Sequence, residues 1–304
     1  MSVVAGTADD VGFLRGRGLV LLSGVFMSIG GPLIRLLERA DEWQFLTYRA
    51  LALVAFLWIV LALRYPGRVW ATLCAAGRAG VLAGAFLACA FIGFVFSITT
   101  STVANTLFLL SASPFAAALL GWLFLGERVA RATWLAMLGA FVGVAVMIGE
   151  GVVERDLFGD LAALGAALAF AGFSVTLRHG RRVDMVPAVM LAGIISGLGA
   201  AAMCLVTDVG LGVPMRDVGL SFVYGAVGIG GGLVLFTAGS RYVPAAELTL
   251  LSLTEVVLGP LWVWLAFAEE PSVPTLAGGA ILMLSIAALT YHGVRRSKPP
   301  PLVT

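Results

Sequence analysis

The sequence predicts an all-α integral membrane protein in which ten transmembrane helices form two inverted five-helix repeats around a central cavity. Three observations support this fold class. Hydrophobic residues make up 60% of the 304 residues and charged residues only 12%, whereas soluble domains are about half apolar and a quarter charged. The apolar residues occur in ten long blocks, and blocks of roughly 17–25 residues can cross a bilayer as helices. Blocks in the two halves also resemble each other.

Short charged or proline-containing connections separate the blocks. The predicted spans are 18–37, 43–63, 79–99, 102–125, 132–149, 157–177, 187–206, 218–240, 244–267 and 274–291. The apolar run that follows Arg15 and Arg17 lacks a clear cleavage site, so we interpret it as span 1 rather than a signal peptide. We assign 1–150 to the first repeat, 151–293 to the second and 294–304 to a disordered basic tail.

The distribution of arginine and lysine predicts the orientation of the spans. If the N-terminus is cytoplasmic, fourteen basic residues lie in or beside cytoplasmic loops and four lie on the other side. Cytoplasmic loops are typically enriched in these residues. We therefore expect a multi-pass protein of the bacterial inner (plasma) membrane with both termini in the cytoplasm.

An internal repeat relates the fourth and ninth spans. The stretch "LLSASPFAAALLGWLFLGE" (Leu109–Glu127) is similar to "LLSLTEVVLGPLWVWLAFAEE" (Leu250–Glu270), at an offset of 141 residues. Each half then contains five spans, and an odd number makes the second half enter the membrane from the opposite side. Inverted repeats of this kind are typical of secondary transporters, which place the substrate site near the midplane between the halves.

These residues resemble the EamA-type transporters of the drug/metabolite transporter superfamily. The resemblance is carried by "WQFLTYRALA" (Trp43–Ala52), "ANTLFLLSASPFAAALLGWLFLGE" (Ala104–Glu127) and "AAELTLLSLTEVVLGPLWVWLAFAEE" (Ala245–Glu270), and it covers nearly the whole chain. Within the superfamily the overall look of the chain resembles YddG-like exporters of aromatic and other amino acids. The resemblance implies export of small metabolites by alternating access. The second half departs from the first, with Glu255 in place of Pro114 and "AFAEE" in place of "LGE".

Three charged residues inside spans are the first candidates for a site. Glu255 lies roughly 16 Å along span 9, near the midplane, where an ionisable group is by default a functional candidate. It could bind a substrate ammonium group, carry a coupling proton or serve helix packing. Glu247 lies about one turn inside the membrane, which favours an interfacial or gating position. Arg49 needs an acid, carbonyl groups or water, and its partner could be a substrate carboxylate or Glu255.

Aromatic and neutral polar residues complete the candidate set, each with a structural alternative. Phe91 and Phe94 lie on one face of span 3, where helix packing or lipid contact is the alternative, and Tyr48 and Tyr224 belong to spans 2 and 8. Spans 4 and 9 supply Asn105, Ser111 and Ser252. Serine hydroxyl groups often bond to their own helix backbone instead.

Glycine and proline mark possible hinges in four spans. The candidates are Gly30, Gly31 and Pro32 in span 1, Pro114 in span 4, Gly230 and Gly231 in span 8, and Pro260 in span 9. Such residues suit bending, and close helix packing is the alternative role for the glycines.

The remaining composition argues against other classes of function. The net charge of +2 and the absence of a basic run argue against nucleic-acid binding, and Cys74, Cys89 and Cys204 have no metal or disulfide spacing. The chain has only two histidines and no phosphate-binding loop motif, so we expect neither an enzyme nor an ATP-driven pump, and no cofactor or metal. The expected partners are the lipid bilayer and a small-molecule substrate, with proton coupling left open. The expected assembly is a monomer or weak dimer.

Overall fold

The computed structural model describes residues 3–101, 103–148, 157–268 and 270–296. Among these residues, ten helical segments are long and apolar enough to cross a membrane. In order, spans 1 to 10 are Gly12–Arg35, Glu42–Arg64, Gly77–Thr100, Asn105–Leu125, Arg131–Ile148, Leu157–His179, Val186–Val206, Met215–Gly239, Ala245–Phe267 and Val273–Tyr291. The described residues contain no strand. The all-α prediction is confirmed, and the span limits agree within a few residues except at the start of span 1.

Four spans are divided into shorter helical pieces. Span 1 consists of helices Val3–Ser28 and Gly30–Arg35, span 4 of Val103–Leu110 and Ser113–Leu125, and span 9 of Ala245–Ser252 and Thr254–Phe267. Span 8 consists of Met215–Val223, a π-helical segment Tyr224–Gly231 and Gly232–Gly239. An additional helix, Val69–Ala75, connects spans 2 and 3, and the last helix runs over Val273–Arg296. Of the tail predicted over 294–304, residues 294–296 belong to this last helix, and residues 297–304 lie outside the described residues, as does the predicted boundary at residue 150.

Hydroxyl groups accompany the breaks in spans 4 and 9. Ser111 Oγ donates to the Phe108 carbonyl group at 2.6 Å, and Thr254 Oγ1 donates to the Leu251 carbonyl group at 2.7 Å. Such bonds compete with the regular helical ladder and bend helices. The expectation that Pro260 interrupts span 9 is wrong, because the helix continues through Pro260 and the break lies at Leu253.

Pro114 lies just after the observed break in span 4, close to the predicted interruption. It occupies the first turn of helix Ser113–Leu125, where the missing N–H group of proline costs nothing. The break itself falls just before it, at Ser111 and Ala112. Proline therefore starts the second piece of span 4 rather than kinking a continuous helix.

The helices pack in the pattern that an inverted repeat requires. Exchanging the halves maps spans 1 to 5 onto spans 6 to 10. Span 3 packs along span 6 as span 8 packs along span 1, and span 4 contacts span 6 as span 9 contacts span 1. Spans 2 and 7 pair with each other, as do spans 5 and 10. The two-repeat fold class is thereby supported by packing as well as by sequence similarity.

Close helix contacts in these pairs depend on small residues. A Cβ atom added at Gly143 would lie 2.7 Å from the carbonyl oxygen of Gly278, so spans 5 and 10 approach backbone to backbone. At Gly193 of span 7 it would lie 2.9 Å from the Val54 side chain of span 2. Such contacts replace the hydrophobic effect as the source of helix association in lipid.

Candidate functional site

A buried arginine and two aromatic rings meet at the centre of the bundle. The Arg49 side chain of span 2 is 8% exposed. Its guanidinium carbon lies 4.7 Å from the ring centroid of Phe91 and 5.8 Å from that of Tyr224. These contacts join spans 2, 3 and 8, and each ring face attracts the cation.

Neighbouring residues fix the position of the Tyr224 ring. It stacks on Phe45 with 5.8 Å between the centroids, and its hydroxyl group donates to the carbonyl oxygen of Met27 at 3.3 Å. Gly30 leaves the space for this ring, because an added Cβ atom there would lie 2.6 Å from it. Tyr224 also begins the π-helical segment of span 8, and π-helical turns are frequent at functional sites.

Arg49 has no acidic partner at contact distance. Within the described part of the chain, no carboxylate lies within the 4.0 Å limit of an ion pair with its guanidinium group. Removing an unpaired charge from water costs several kcal/mol, and contacts with two aromatic rings return about 2 kcal/mol. The cluster therefore holds a positive charge that an incoming anionic group would stabilise.

Glu255 supplies the opposite charge. It lies in the first turn of helix Thr254–Phe267, immediately after the break in span 9, where the helix dipole favours a negative charge. Protein surrounds it, yet its side chain keeps accessible surface, and it interacts electrostatically with Arg49. Among the described residues, its carboxylate makes no hydrogen bond or ion pair.

This arrangement has the chemistry of a site for a zwitterion. A guanidinium group binds a carboxylate in a bidentate manner, and a carboxylate accepts hydrogen bonds from an ammonium group. Phe91 and Tyr224 offer apolar and cation-attracting faces beside the charges. Arg49 and Glu255 interact electrostatically but form no ion pair. A small molecule that carries a carboxylate and an ammonium group could therefore bridge them.

Glu247 belongs to a different cluster, at the end of the bundle where span 1 begins and span 10 ends, which we call the terminal face. Its carboxylate accepts hydrogen bonds from Arg17 Nε and Nη2 at 3.0 and 2.7 Å and from Thr133 Oγ1 at 3.0 Å. Arg17 also donates to the carbonyl oxygen of Leu289 at 3.0 Å. Glu247 is 6% exposed and Arg17 is 3% exposed. This saturated ion pair joins spans 1, 5, 9 and 10.

A second ion pair connects the halves at the terminal face. Glu127, at the end of span 4, accepts from Arg178 Nε at 2.8 Å and from the backbone N–H of Ala245 at 3.1 Å. Arg178 Nη1 donates to the carbonyl oxygen of Arg241 at 2.6 Å. The halves of spans 4 and 9 near this face pack together, whereas their other halves make no extensive contact within the described residues. The structure is therefore closed at the terminal face.

The remaining sequence candidates lie apart from the central cluster or use their polar groups elsewhere. Tyr48 donates from its hydroxyl group to the carbonyl oxygen of Leu211 at 2.6 Å, in the loop after span 7. Asn105 donates to Asp160 near the face opposite the termini. Ser252 Oγ bonds to the Thr249 carbonyl group at 2.8 Å, as Ser111 Oγ does to that of Phe108.

Phe94 and the hinge candidates of spans 1 and 8 contribute to helix packing. Phe94 packs against the buried cluster that contains Trp43 and Leu46 rather than against Arg49. A Cβ atom added at Gly31 would lie 3.2 Å from the carbonyl oxygen of Gly259. One added at Gly230 would lie 2.6 Å from the Phe56 ring, and one added at Gly231 would lie 3.1 Å from the Phe26 ring. Pro32 lies within helix Gly30–Arg35. All these glycines permit close packing, and hinge bending stays a prediction.

Sequence reasoning missed several partners in these clusters. Arg17 was counted only as a basic flank, because nothing in the sequence connects it to a carboxylate 230 positions away. Trp262 was not among the candidate residues, yet its indole N–H donates to Ser28 Oγ at 2.8 Å and joins span 9 to span 1. The available signal was Glu247, an acid within an apolar run that requires a cation as its partner.

Comparison with known proteins agrees with the fold. The sequence matches the EamA-like transporter family over residues 14–149 and 157–291. The pseudopaline exporter CntI of Pseudomonas aeruginosa is 25% identical over 214 residues, covering 69% of this chain and 72% of that protein. The uncharacterized transporter YwfM of Bacillus subtilis is 24% identical over 279 residues, covering 89% and 92%. A crystal structure with 17% sequence identity superposes with a TM-score of 0.80 and covers 92% of this chain and 98% of its own, which concerns the fold alone.

Proposed function

The chain belongs to the EamA-like transporter family, and we propose that this membrane transporter exports amino acids, aromatic and other hydrophobic ones foremost, by alternating access. The single observation that carries the proposal is the pair of unjoined opposite charges at the centre. Arg49 receives the carboxylate of the substrate, and Glu255 receives its ammonium group. Phe91 and Tyr224 then contact the apolar side chain. A substrate with only one of these charges leaves the other side chain unsatisfied, which is costly in a buried site.

The direction of transport rests on the orientation of the bundle. The terminal face carries most of the arginines, and basic residues favour the cytoplasm. With this face cytoplasmic, the structure is closed toward the cytoplasm by the Glu247–Arg17 and Glu127–Arg178 pairs. Export requires these pairs to separate when the substrate enters. Glu255 could in addition carry a proton that drives the cycle.

A second candidate is export of other metabolites or drugs by the same fold. The similarity to a protein named as a pseudopaline exporter favours this candidate. The central site accepts any small molecule that carries a carboxylate and an amine, so substrates larger than a single amino acid are compatible with its chemistry.

Counterflow in proteoliposomes tests the proposal. The purified protein is reconstituted, the vesicles are loaded with unlabelled phenylalanine, and uptake of labelled phenylalanine is followed. We expect saturable uptake that is faster in loaded vesicles than in empty ones. Protein-free vesicles are the control. If neither phenylalanine nor any other amino acid exchanges, the amino-acid proposal is wrong and the second candidate replaces it.

A further inference from the structure

A second cavity lies at the terminal face, apart from the central site. Its volume is about 290 Å³, and residues of spans 1, 2, 7 and 8 with their adjoining loops line it. None of the central residues Arg49, Phe91, Tyr224 or Glu255 is among them. The mouth carries Arg15, Arg64 and Arg241, and Leu19, Val234 and Ala238 line an apolar part. The cavity therefore combines a basic rim with an apolar wall.

The charges at the rim do not cancel. Asp184 is the acidic group of the lining. It accepts hydrogen bonds from Arg64 Nη1 at 3.2 Å, from the Tyr65 hydroxyl group at 3.0 Å and from the backbone N–H of Val186 at 3.0 Å. Asp184 therefore neutralises Arg64. The other two rim arginines have no acidic partner among the described residues.

A buried hydroxyl group in the same lining is also unsatisfied. Thr237 is 3% exposed, and its Oγ1 atom has no hydrogen-bond partner. Helical threonines ordinarily donate to a carbonyl group of the preceding turn, as Thr176 does toward Gly172 at 2.7 Å. Leaving a buried donor unpaired is unfavourable. Thr237 belongs to the cavity lining, and its Oγ1 atom, which has no accessible surface of its own, would donate to a ligand there once the side chain rotates toward the cavity.

We propose that this cavity binds a phosphate group, with Arg15 and Arg241 pairing with its charge and Thr237 donating to one of its oxygens. A phosphate group offers several strong acceptors and matches arginine well. Basic pockets between transmembrane helices bind anionic lipid head groups. Two sources share this chemistry: the head group of an anionic phospholipid, whose acyl chain would follow Leu19 and Val234, and a free phosphate ion.

Two sets of variants test the assignment. The first is Arg15→Gln with Arg241→Gln, and its matched control is Arg181→Gln with Arg182→Gln, which removes the same charge from exposed positions that do not line the cavity. The second is Thr237→Val, which loses no hydrogen bond of the protein and should fold normally. Its control is Ser23→Ala, since Ser23 Oγ is equally buried and unpaired but outside the cavity lining.

Binding is measured by calorimetry on the full-length protein in a neutral detergent, with inorganic phosphate in one arm and dihexanoyl phosphatidylglycerol in the other. We expect the double arginine variant to bind about thirtyfold more weakly and Thr237→Val about tenfold more weakly. Both controls should bind like wild type. Binding of the phospholipid alone identifies a lipid site, and binding of inorganic phosphate identifies a site for the free ion. The proposal is overturned if neither probe binds, or if the arginine control weakens binding as much as the cavity variant.

Discussion

Two charged side chains in the membrane interior behave in opposite ways. Glu247 has every feature of a structural ion pair, with Arg17, Thr133 and a short distance of 2.7 Å. Glu255 has no hydrogen bond or ion pair among the described residues, and its side chain keeps some accessible surface. A buried ion pair stabilises only if its geometry is good, so the first stabilises the closed arrangement of the bundle. Glu255 is expected to contribute to transport, because its carboxylate makes no hydrogen bond or ion pair within the described part of the protein and is available to a substrate.

We predict that Glu255→Gln impairs transport without impairing folding. The variant keeps the shape of the side chain and removes the charge that would hold an ammonium group. A charged hydrogen bond contributes about 1.5–3 kcal/mol, so counterflow of labelled phenylalanine should fall about tenfold to hundredfold. Glu270→Gln, at an exposed loop position, should transport like wild type. Normal flux in Glu255→Gln would remove this residue from the site.

We predict that Arg49→Met abolishes transport and leaves the thermal unfolding temperature at or above that of wild type. Methionine removes an unpaired charge whose burial costs more than its aromatic contacts return. Arg17→Met is the matched comparison, because Arg17 is equally buried but paired, and it should lower the unfolding temperature. A large loss of stability in Arg49→Met would show that Arg49 serves packing instead.

At the scale of whole helices, broken spans carry residues of the proposed site. The break at Leu253 places Glu255 at the start of a new helix, and Tyr224, whose ring centroid lies 5.8 Å from the Arg49 guanidinium carbon, begins the π-helical segment Tyr224–Gly231. At the terminal face, the Glu247–Arg17 ion pair ties span 9 to span 1, and the Glu127–Arg178 ion pair ties span 4 to span 6. The central site therefore lies next to helix ends, while the contacts that close the bundle lie about two turns away along span 9.

We predict that Glu247→Gln lowers the free energy of unfolding by about 3–5 kcal/mol, because Arg17 is left buried without a compensating charge. The measurement is thermal or chemical unfolding of the purified protein. Combining it with Arg17→Met should recover part of this loss. Glu255→Gln serves as the comparison, since that carboxylate has no partner to abandon. Equal stability of Glu247→Gln and wild type would contradict the structural role of this pair.

At the scale of the molecule, the hydropathy and repeat patterns were enough to predict the architecture. Ten apolar blocks determine ten spans because the bilayer requires that length, and the match of Leu109–Glu127 to Leu250–Glu270 indicated the inverted halves. The candidate site was only partly predictable. Glu255 and Arg49 stood out as charges in apolar runs, but helical phase alone could not separate Tyr224 from Tyr48. The break at Leu253 was missed because it accompanies local hydroxyl bonds rather than a proline.

We predict that a disulfide across the closed terminal face stops the transport cycle. A Cβ atom built at Gly121 lies 3.8 Å from the Cβ atom of Ala245, within the range for a disulfide bond. In a background with Cys74→Ser and Cys89→Ser, the pair Gly121→Cys and Ala245→Cys should cross-link on oxidation and lose most counterflow activity. Reduction should restore it. Full activity of the cross-linked protein would mean that this face does not open during transport.

The most direct test of the central claim is the competition of phenylalanine analogues in the counterflow assay. Phenylalaninamide lacks the carboxylate, and 3-phenylpropionate lacks the amine. We predict that wild type binds both analogues at least tenfold more weakly than phenylalanine. Glu255→Gln should no longer distinguish phenylalanine from 3-phenylpropionate, while it should still reject the amide. If both analogues compete as well as phenylalanine in wild type, Arg49 and Glu255 do not read the two charges of the substrate.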